Sequence, residues 1–277
     1  MKRNKITAGT VILQVVMILL LLFTFFPLLV MINMSFKKNV MITMDFFGLP
    51  HPFYLRNYVK AFKFIFRPIL NSMICCLTAL AGVLVNVSLA GYAFGKMNFR
   101  GKKFLYTMLL VVMMIPYTIT IVPCYKIVSS LHILNTFWAL ILPWISGQEV
   151  FGIIIAETYY RKLPKELFDA AEIDGASEWQ KFCNIGLPLS RPILITTGIT
   201  AFVAMYNDYI WPTIAITSGD EMKTFCQIVL NNAAGKGSND MGLIAASFII
   251  GTVPLVIIMR RNMKYYVQGI TSGAVKG

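Results

Sequence analysis

Charge is scarce in this 277-residue chain: Asp, Glu, Lys and Arg make up 13% of it, where a soluble chain carries about 25%. The acids are scarcer still, 12 against 25 basic residues, while 57% of the residues are hydrophobic. Histidine is limited to His51 and His132 and no His-Glu-x-x-His run is present, so membrane metalloprotease chemistry has no ligand set. Cys75 and Cys76 adjoin, while Cys124, Cys183 and Cys226 are scattered. Without Cys-x-x-Cys spacing they point to neither a disulfide framework nor a zinc site. Lys96, Lys102 and Lys236 each follow a Gly, but none precedes Ser or Thr, so the phosphate-cradling loop of nucleotide hydrolases is missing and the chain cannot power itself by that chemistry. There is no internal repeat, no low-complexity tract and no soluble domain of any size. The expectation is a protein that is not an enzyme and holds no metal or cofactor of its own.

What is present is uncharged length. A bilayer core is roughly 30 Å thick and takes about 20 apolar residues to cross as a helix. Residues 11–36, 68–95 and 104–125 are charge-free and long enough, and 241–259 is just long enough. Two more apolar stretches are interrupted, 136–158 by Glu149 and 192–216 by Asp208. The reading is an all-α membrane protein of six transmembrane helices. The basic start "MKRNK" before an apolar run also fits a signal peptide, but the run far exceeds a signal peptide's core and "NMSFKK" offers no small-residue cleavage site.

The excess of basic residues reports orientation, not nucleic acid. With the N-terminus in the cytoplasm, sixteen of the 25 Lys and Arg residues fall on the cytoplasmic side, and six of the other nine cluster between Lys37 and Arg67. That bias follows the positive-inside rule and puts both termini in the cytoplasm. The expected organisation is a cytoplasmic N-terminus (1–10), a first helix (11–36), an extracytoplasmic loop (37–67), a transmembrane domain carrying helices two to six (68–270) and a cytoplasmic tail (271–277). Within that domain the longest cytoplasmic connection is 159–191, between helices four and five.

That connection holds five acids, Glu166, Asp169, Glu172, Asp174 and Glu178, within thirteen positions. Pro164 suits a helix start, no breaker interrupts Lys165 to Ile173, and Asp174-Gly175 ends the helix. Ser177 with Gln180 forms a capping box for a second short helix through Trp179 and Phe182, up to Gly186 and Pro188. Leu167, Ala170, Ala171 and Ile173 give the first helix an apolar stripe opposite Glu166, Asp169 and Glu172. One reading is a solvated interfacial hairpin. The other is a docking surface, to which small Ala-Ala positions beside acids and a fixed Gly turn are suited.

The run "DAAEIDGASEWQKFCNIGLP" resembles the EAA motif of ATP-binding-cassette importer permeases: Asp169, Ala170 and Ala171, then Gly175, then Ile185, Leu187 and Pro188, with the motif's spacing. Asp169 stands where the motif has Glu. "AGYAFGKMNFRGK", "MMIPYTITIVPCYKI", "ILNTFWALILP" and "MKYYVQGITSGAVKG" are similar to the maltose-type carbohydrate permeases, and the likeness is weakest over 37–67. Glu157 stands where that family often has Arg. The resemblance implies a multi-pass permease of a prokaryotic plasma membrane, paired with a second, different permease, two ATPase subunits that bind and hydrolyse ATP, and an extracytoplasmic sugar-binding protein. It also implies that 159–191 forms coupling helices seated in the ATPase, with Glu166, Asp169, Ala170, Ala171, Asp174, Gly175, Leu187 and Pro188 as coupling residues.

Acids inside a membrane span are costly, about 2.5–3.5 kcal/mol for Asp at a helix centre, and so tend to face a cavity or a partner. Glu149 and Asp208 are the candidates, with Asn207 and Trp211 beside Asp208 in "MYNDYIWP". Amide, carboxylate and aromatic groups suit sugar hydroxyls and pyranose faces. Alternatively Asn207 and Asp208 join helices, and Glu149 faces a vestibule opened by Pro143. The competing class is an ion-coupled secondary transporter with Glu149 and Asp208 on the ion.

Overall fold

A computed structural model describes residues 8–232 and 240–274 of the chain, with side chains for 9–232 and 240–264. Lys2, Arg3, Lys5, Lys236 and Lys276, which enter the charge asymmetry, lie outside the described residues. Every regular element among the described residues is helical. In chain order they are α1 (Ala8–Ser35), α2 (Asn39–Met44), α3 (Arg56–Lys96), α4 (Lys102–Met113), α5 (Tyr117–Ser130), α6 (Trp138–Lys162), α7 (Lys165–Ile173), α8 (Glu178–Lys181), a π-helical turn (Phe182–Gly186), α9 (Leu187–Leu189), α10 (Arg191–Asn207), α11 (Ile210–Ala215), α12 (Phe225–Asn231) and α13 (Met241–Ala274).

Four of these, α1, α3, α6 and α13, are long and apolar enough to cross a membrane alone, and two bent pairs raise the number to six. The expected third span, 104–125, is not one straight helix. It breaks at Met114–Pro116 into α4 and α5, which meet at 103°. Pro116 has no N–H to continue the ladder and its ring drives Ile115 out of the helical region. At about 1.5 Å per residue the 12-residue α4 reaches only ~18 Å, so neither half alone crosses roughly 30 Å of hydrocarbon. The fifth expected span, 192–216, is also interrupted: α10 stops at Asn207 and α11 begins at Ile210.

Two compact units are present. In the first, 1–66 with 229–252, α1 is exposed around its whole circumference through its apolar run, as a helix solvated by lipid would be. Below it, buried Lys37 donates to the carbonyls of Asp45 (2.9 Å) and Phe46 (3.0 Å), while Asn57 donates to the carbonyls of Ser35 (2.9 Å) and Lys37 (2.8 Å). These bonds satisfy a chain reversal that would otherwise leave buried carbonyls bare.

The second unit, 67–228 with 253–277, is built on α3, α6 and α10. Small residues let α3 and α6 approach closely, as membrane helices need where lipid is as apolar as the side chains. A Cβ on Gly91 would lie 2.6 Å from that of Ala156, and one on Gly95 2.6 Å from that of Tyr160. The segment before α12 is tied back to α3, since Asn71 donates to the carbonyls of Glu221 (2.8 Å) and Lys223 (3.0 Å).

Gly91→Ala is therefore expected to lower the thermal midpoint of the detergent-extracted protein by about 3–10 °C, the effect of ~1–3 kcal/mol of overpacking. Gly147→Ala, whose Cβ would meet nothing within 4 Å, leaves it unchanged or slightly higher. Equal midpoints for the two variants would show that the α3–α6 crossing is not close.

Candidate functional site

The segment between α6 and α10 folds as a short helical hairpin. The end of α7 is closed by a Schellman arrangement: Gly175 N–H reaches the Glu172 carbonyl (3.0 Å) and Ala176 N–H the Ala171 carbonyl (2.9 Å). Gly175 sits at φ +79°, a left-handed conformation that only glycine adopts without strain, and its side-chain position faces open space. Ser177 then starts α8 with a complete capping box. Its hydroxyl accepts from Gln180 N–H (3.3 Å), and Gln180 Oε1 accepts from Ser177 N–H (2.8 Å). The expected second helix is not continuous, because after α8 the chain takes a π turn through 182–186 before α9.

Lys181 holds the two arms together. Its side chain is 7% exposed and its Nζ lies 2.6 Å from Glu178 Oε1 and 3.1 Å from Glu172 Oε2, so the acids of α7 and α8 share one buried ammonium. Hydrogen bonding to Glu178, and then to Glu172, raises its pKa above the ordinary lysine range. That stabilisation is complete below the ordinary lysine value of about 10.4 and is lost only as pH rises beyond it, so it is constant through neutral pH. Sequence reading missed Lys181, although a Lys three residues after Glu178 and nine after Glu172, across a Gly turn, is a usable signal.

The hairpin is seated by aromatic contacts. The α7 face turned inward is that of Phe168, not the stripe expected from Leu167, Ala170, Ala171 and Ile173; Leu167 and Ile173 are exposed. Tyr92 of α3 has ring centroids 5.6 Å from Tyr160, 6.2 Å from Phe168 and 5.2 Å from Phe182, and its hydroxyl donates to Glu178 (3.2 Å). Lys96, at the end of α3, lies 4.6 Å over the Phe168 ring and donates to the Leu163 carbonyl (2.7 Å). Tyr160 pairs with Ser190 (2.8 Å) and Tyr159 donates to the Leu189 carbonyl (3.0 Å), so α6 grips the far end as well.

The outer surface is different in kind. Ile173 is 88% exposed and Trp179 64%, two large apolar side chains at the hairpin's tip. Asp169 is exposed and lies 3.6 Å from Lys165, and Glu166, Ala170 and Asp174 are exposed too. A half-polar cleft of about 680 Å³, bordered by Lys96, Lys165, Asp169, Glu172, Ile173 and Lys181, opens next to them. At the hairpin's end Leu187 and Pro188 border an apolar groove with Arg191 and Leu194. An apolar tip ringed by charge is the composition of a protein-binding surface.

The four candidate pathway residues do not form one group. Glu149 accepts from Asn86 of α3 (2.6 Å). Asp208 lies at the α10–α11 break: one oxygen accepts from Ile210 N–H (3.1 Å) and Trp211 N–H (3.3 Å), capping α11, and the other from the Trp144 indole of α6 (2.8 Å). Trp211 is 2% exposed with its indole N–H on the Ala139 carbonyl (2.8 Å), so its ring packs in the core beside Trp144, at one wall of an apolar cavity of about 410 Å³. Asn207 is exposed at the end of α10. Asn86 and Trp144 were not foreseen, and nothing local in the sequence signals either partner.

Residues 87–272 match the family described as binding-protein-dependent transport system inner membrane component. The chain is 33% identical to the probable ABC transporter permease protein YurM of Bacillus subtilis over 99% of this chain and 91% of that protein. It is 31% identical to the arabinooligosaccharides transport system permease protein AraQ of Halalkalibacterium halodurans, over 91% of each. It is also 31% identical to the trehalose/maltose transport system permease protein MalG of Thermococcus litoralis, over 94% of each. Its fold matches a chain in the crystal structure of a bacterial ABC transporter involved in import of the acidic polysaccharide alginate, with a TM-score of 0.83 at 17% identity, covering 96% of this chain and 99% of that one.

Lys181→Met is expected to release α7 from α8 at a cost of about 1–2 kcal/mol, modest because both carboxylates reach water. Amide hydrogen exchange across 174–186 should then quicken roughly 5- to 30-fold while exchange in α3 and α6 is unchanged. Unaltered exchange in the hairpin would remove Lys181 as its clamp.

Proposed function

The chain belongs to the binding-protein-dependent transport system inner membrane components and is a permease subunit of an ATP-binding-cassette importer; on that premise we propose that it imports carbohydrate and couples to its ATPase through the 159–191 hairpin. Carbohydrate as cargo is supported by the sugar systems to which AraQ and MalG belong. An ion-coupled secondary transporter is the weaker reading in view of that family membership. The partners under this proposal are a second permease, two ATPase subunits that bind and hydrolyse ATP, and an extracytoplasmic binding protein. Both termini and the hairpin are cytoplasmic in it.

The observation that carries the coupling role is the contrast between the hairpin's two faces. Inward, Phe168 and Phe182 are held on Tyr92 of α3, with Tyr160 of α6 against the same ring, and each aromatic pair adds about 0.5–1.5 kcal/mol beyond its buried area. Outward, Ile173 and Trp179 stand uncovered, and Ile173 shares a cleft with Asp169. A partner that moves the tip therefore moves α3 and α6 with it. Asp169, Ala170, Ala171 and Gly175 lie where such a partner would seat, and Gly175 sets the angle between the arms.

On the pathway side, Asn207 and Glu149 have polar atoms available to sugar hydroxyls. Asp208 acts by positioning, holding α11 to α6, and Trp211 supports it from the core.

Asp169→Lys is expected to abolish both sugar uptake and co-purification of the ATPase; retention of both would refute the coupling role. Gly175→Val should weaken both through backbone strain of about 1–2 kcal/mol. Asn207→Ala is expected to change uptake kinetics with the complex still assembled, and unchanged kinetics would take Asn207 out of the pathway.

A further inference from the structure

A second cleft, of about 880 Å³, lies where α3 turns into α4 beside the end of α6. Three cations border it, Lys102 and Lys103 from the first turn of α4 and Arg161 from the last turn of α6. Its one carboxylate, Glu157, is 4% exposed and already engaged: it accepts from Tyr106 (3.1 Å) and Thr158 (3.2 Å) and lies 3.4 Å from Arg161. Glu157 thus orients Arg161 and leaves two cationic charges without a counter-charge. Lys102 spends one N–H on the Met97 carbonyl (2.8 Å), which leaves two, and among the described residues Lys103 has no carboxylate partner.

The rest of the wall is aromatic. Phe99 and Phe104 are exposed, at 38% and 68%, and Phe94 and Tyr106 stand behind them. No residue of α4 is buried, so the chain does not cover this wall itself. The cleft also sits at the ends of apolar helices: Lys96 closes α3, Lys102 opens α4 and Lys162 closes α6. Helix ends of this kind lie at the depth of lipid headgroups, where Lys, Arg and aromatic side chains gather. A soluble anion would use the cations and have no use for the phenyl rings. Phosphate attached to hydrocarbon uses both.

We propose that this cleft binds the phosphate headgroup of an anionic phospholipid, with Lys102, Lys103 and Arg161 on the phosphate and Phe99 and Phe104 against the upper acyl chains. The site is separate from the hairpin's outer face and does not depend on what the importer carries.

The test is native mass spectrometry of the full-length chain, extracted in detergent with its co-purifying partners and titrated with phosphatidylglycerol or with phosphatidylcholine of the same acyl chains. Wild-type protein is expected to retain phosphatidylglycerol preferentially. Lys102→Gln with Lys103→Gln should weaken that retention roughly fivefold for each charge removed. Thr107→Glu, which puts a carboxylate on an exposed part of the wall, should weaken it by a similar factor. Retention of phosphatidylcholine and recovery of the intact chain should stay at wild-type levels in all variants. Equal retention of the two lipids by wild-type protein, or variants as selective as wild type, would overturn the proposal. Displacement of phosphatidylglycerol by excess inorganic phosphate would overturn it in favour of a soluble-anion site. Loss of partner co-purification with lipid selectivity intact would overturn it in favour of a protein contact.

Discussion

The closeness of α3 and α6 at Gly91 and Gly95 is the constraint on which the site depends. With no side chain at either position, the two glycines meet Ala156 and Tyr160 directly, and Tyr92, between them in sequence, comes ring to ring with Tyr160. That pair makes the socket for the hairpin. Phe168 and Phe182 enter it from α7 and the π turn, and Gly186 passes so near Tyr92 that a Cβ there would lie 3.0 Å from the ring. A membrane-helix contact, chosen for want of bulk, thus fixes an element outside the apolar core.

The acids of the hairpin divide into two groups that the sequence does not separate. Glu172 and Glu178 pair with the buried Lys181 and serve the fold while still reaching water, whereas Glu166, Asp169 and Asp174 take no part in that clamp. A cluster of negative charge in an apolar chain is thus partly an internal clamp and partly a display. The division explains how the hairpin is both tied and polar: the buried ammonium offsets one of the two charges it joins, and water solvates the rest.

What was legible in the sequence was what depends on neighbours along the chain. The Schellman turn at Gly175 and the capping box at Ser177 are satisfied within six residues, so residue type and spacing suffice. Helix existence was legible for the same reason, since apolar length needs no partner. The break at Pro116 had its signal in the proline, but uncharged length on either side masked it. Burial of Phe168 in preference to Leu167, the Asn86–Glu149 pair and the Trp144–Asp208 bond depend on which helices meet, and no local pattern encodes that. Asp208 illustrates the difference. Its cost inside an apolar run is visible from composition, but the answer to that cost, three N–H donors from two helices, is tertiary.

Those three donors have a kinematic consequence. Between Asn207 and Ile210 the chain is interrupted and would be free to pivot, yet a single carboxylate joins the start of α11 to the indole of Trp144 on α6, while the Trp211 indole is fixed to Ala139 on the same helix. The pivot is thereby removed from α11 and left at the end of α10. A tilt of α6 would carry α11 with it as one body, with the two non-helical residues Asp208 and Tyr209 as the joint to α10.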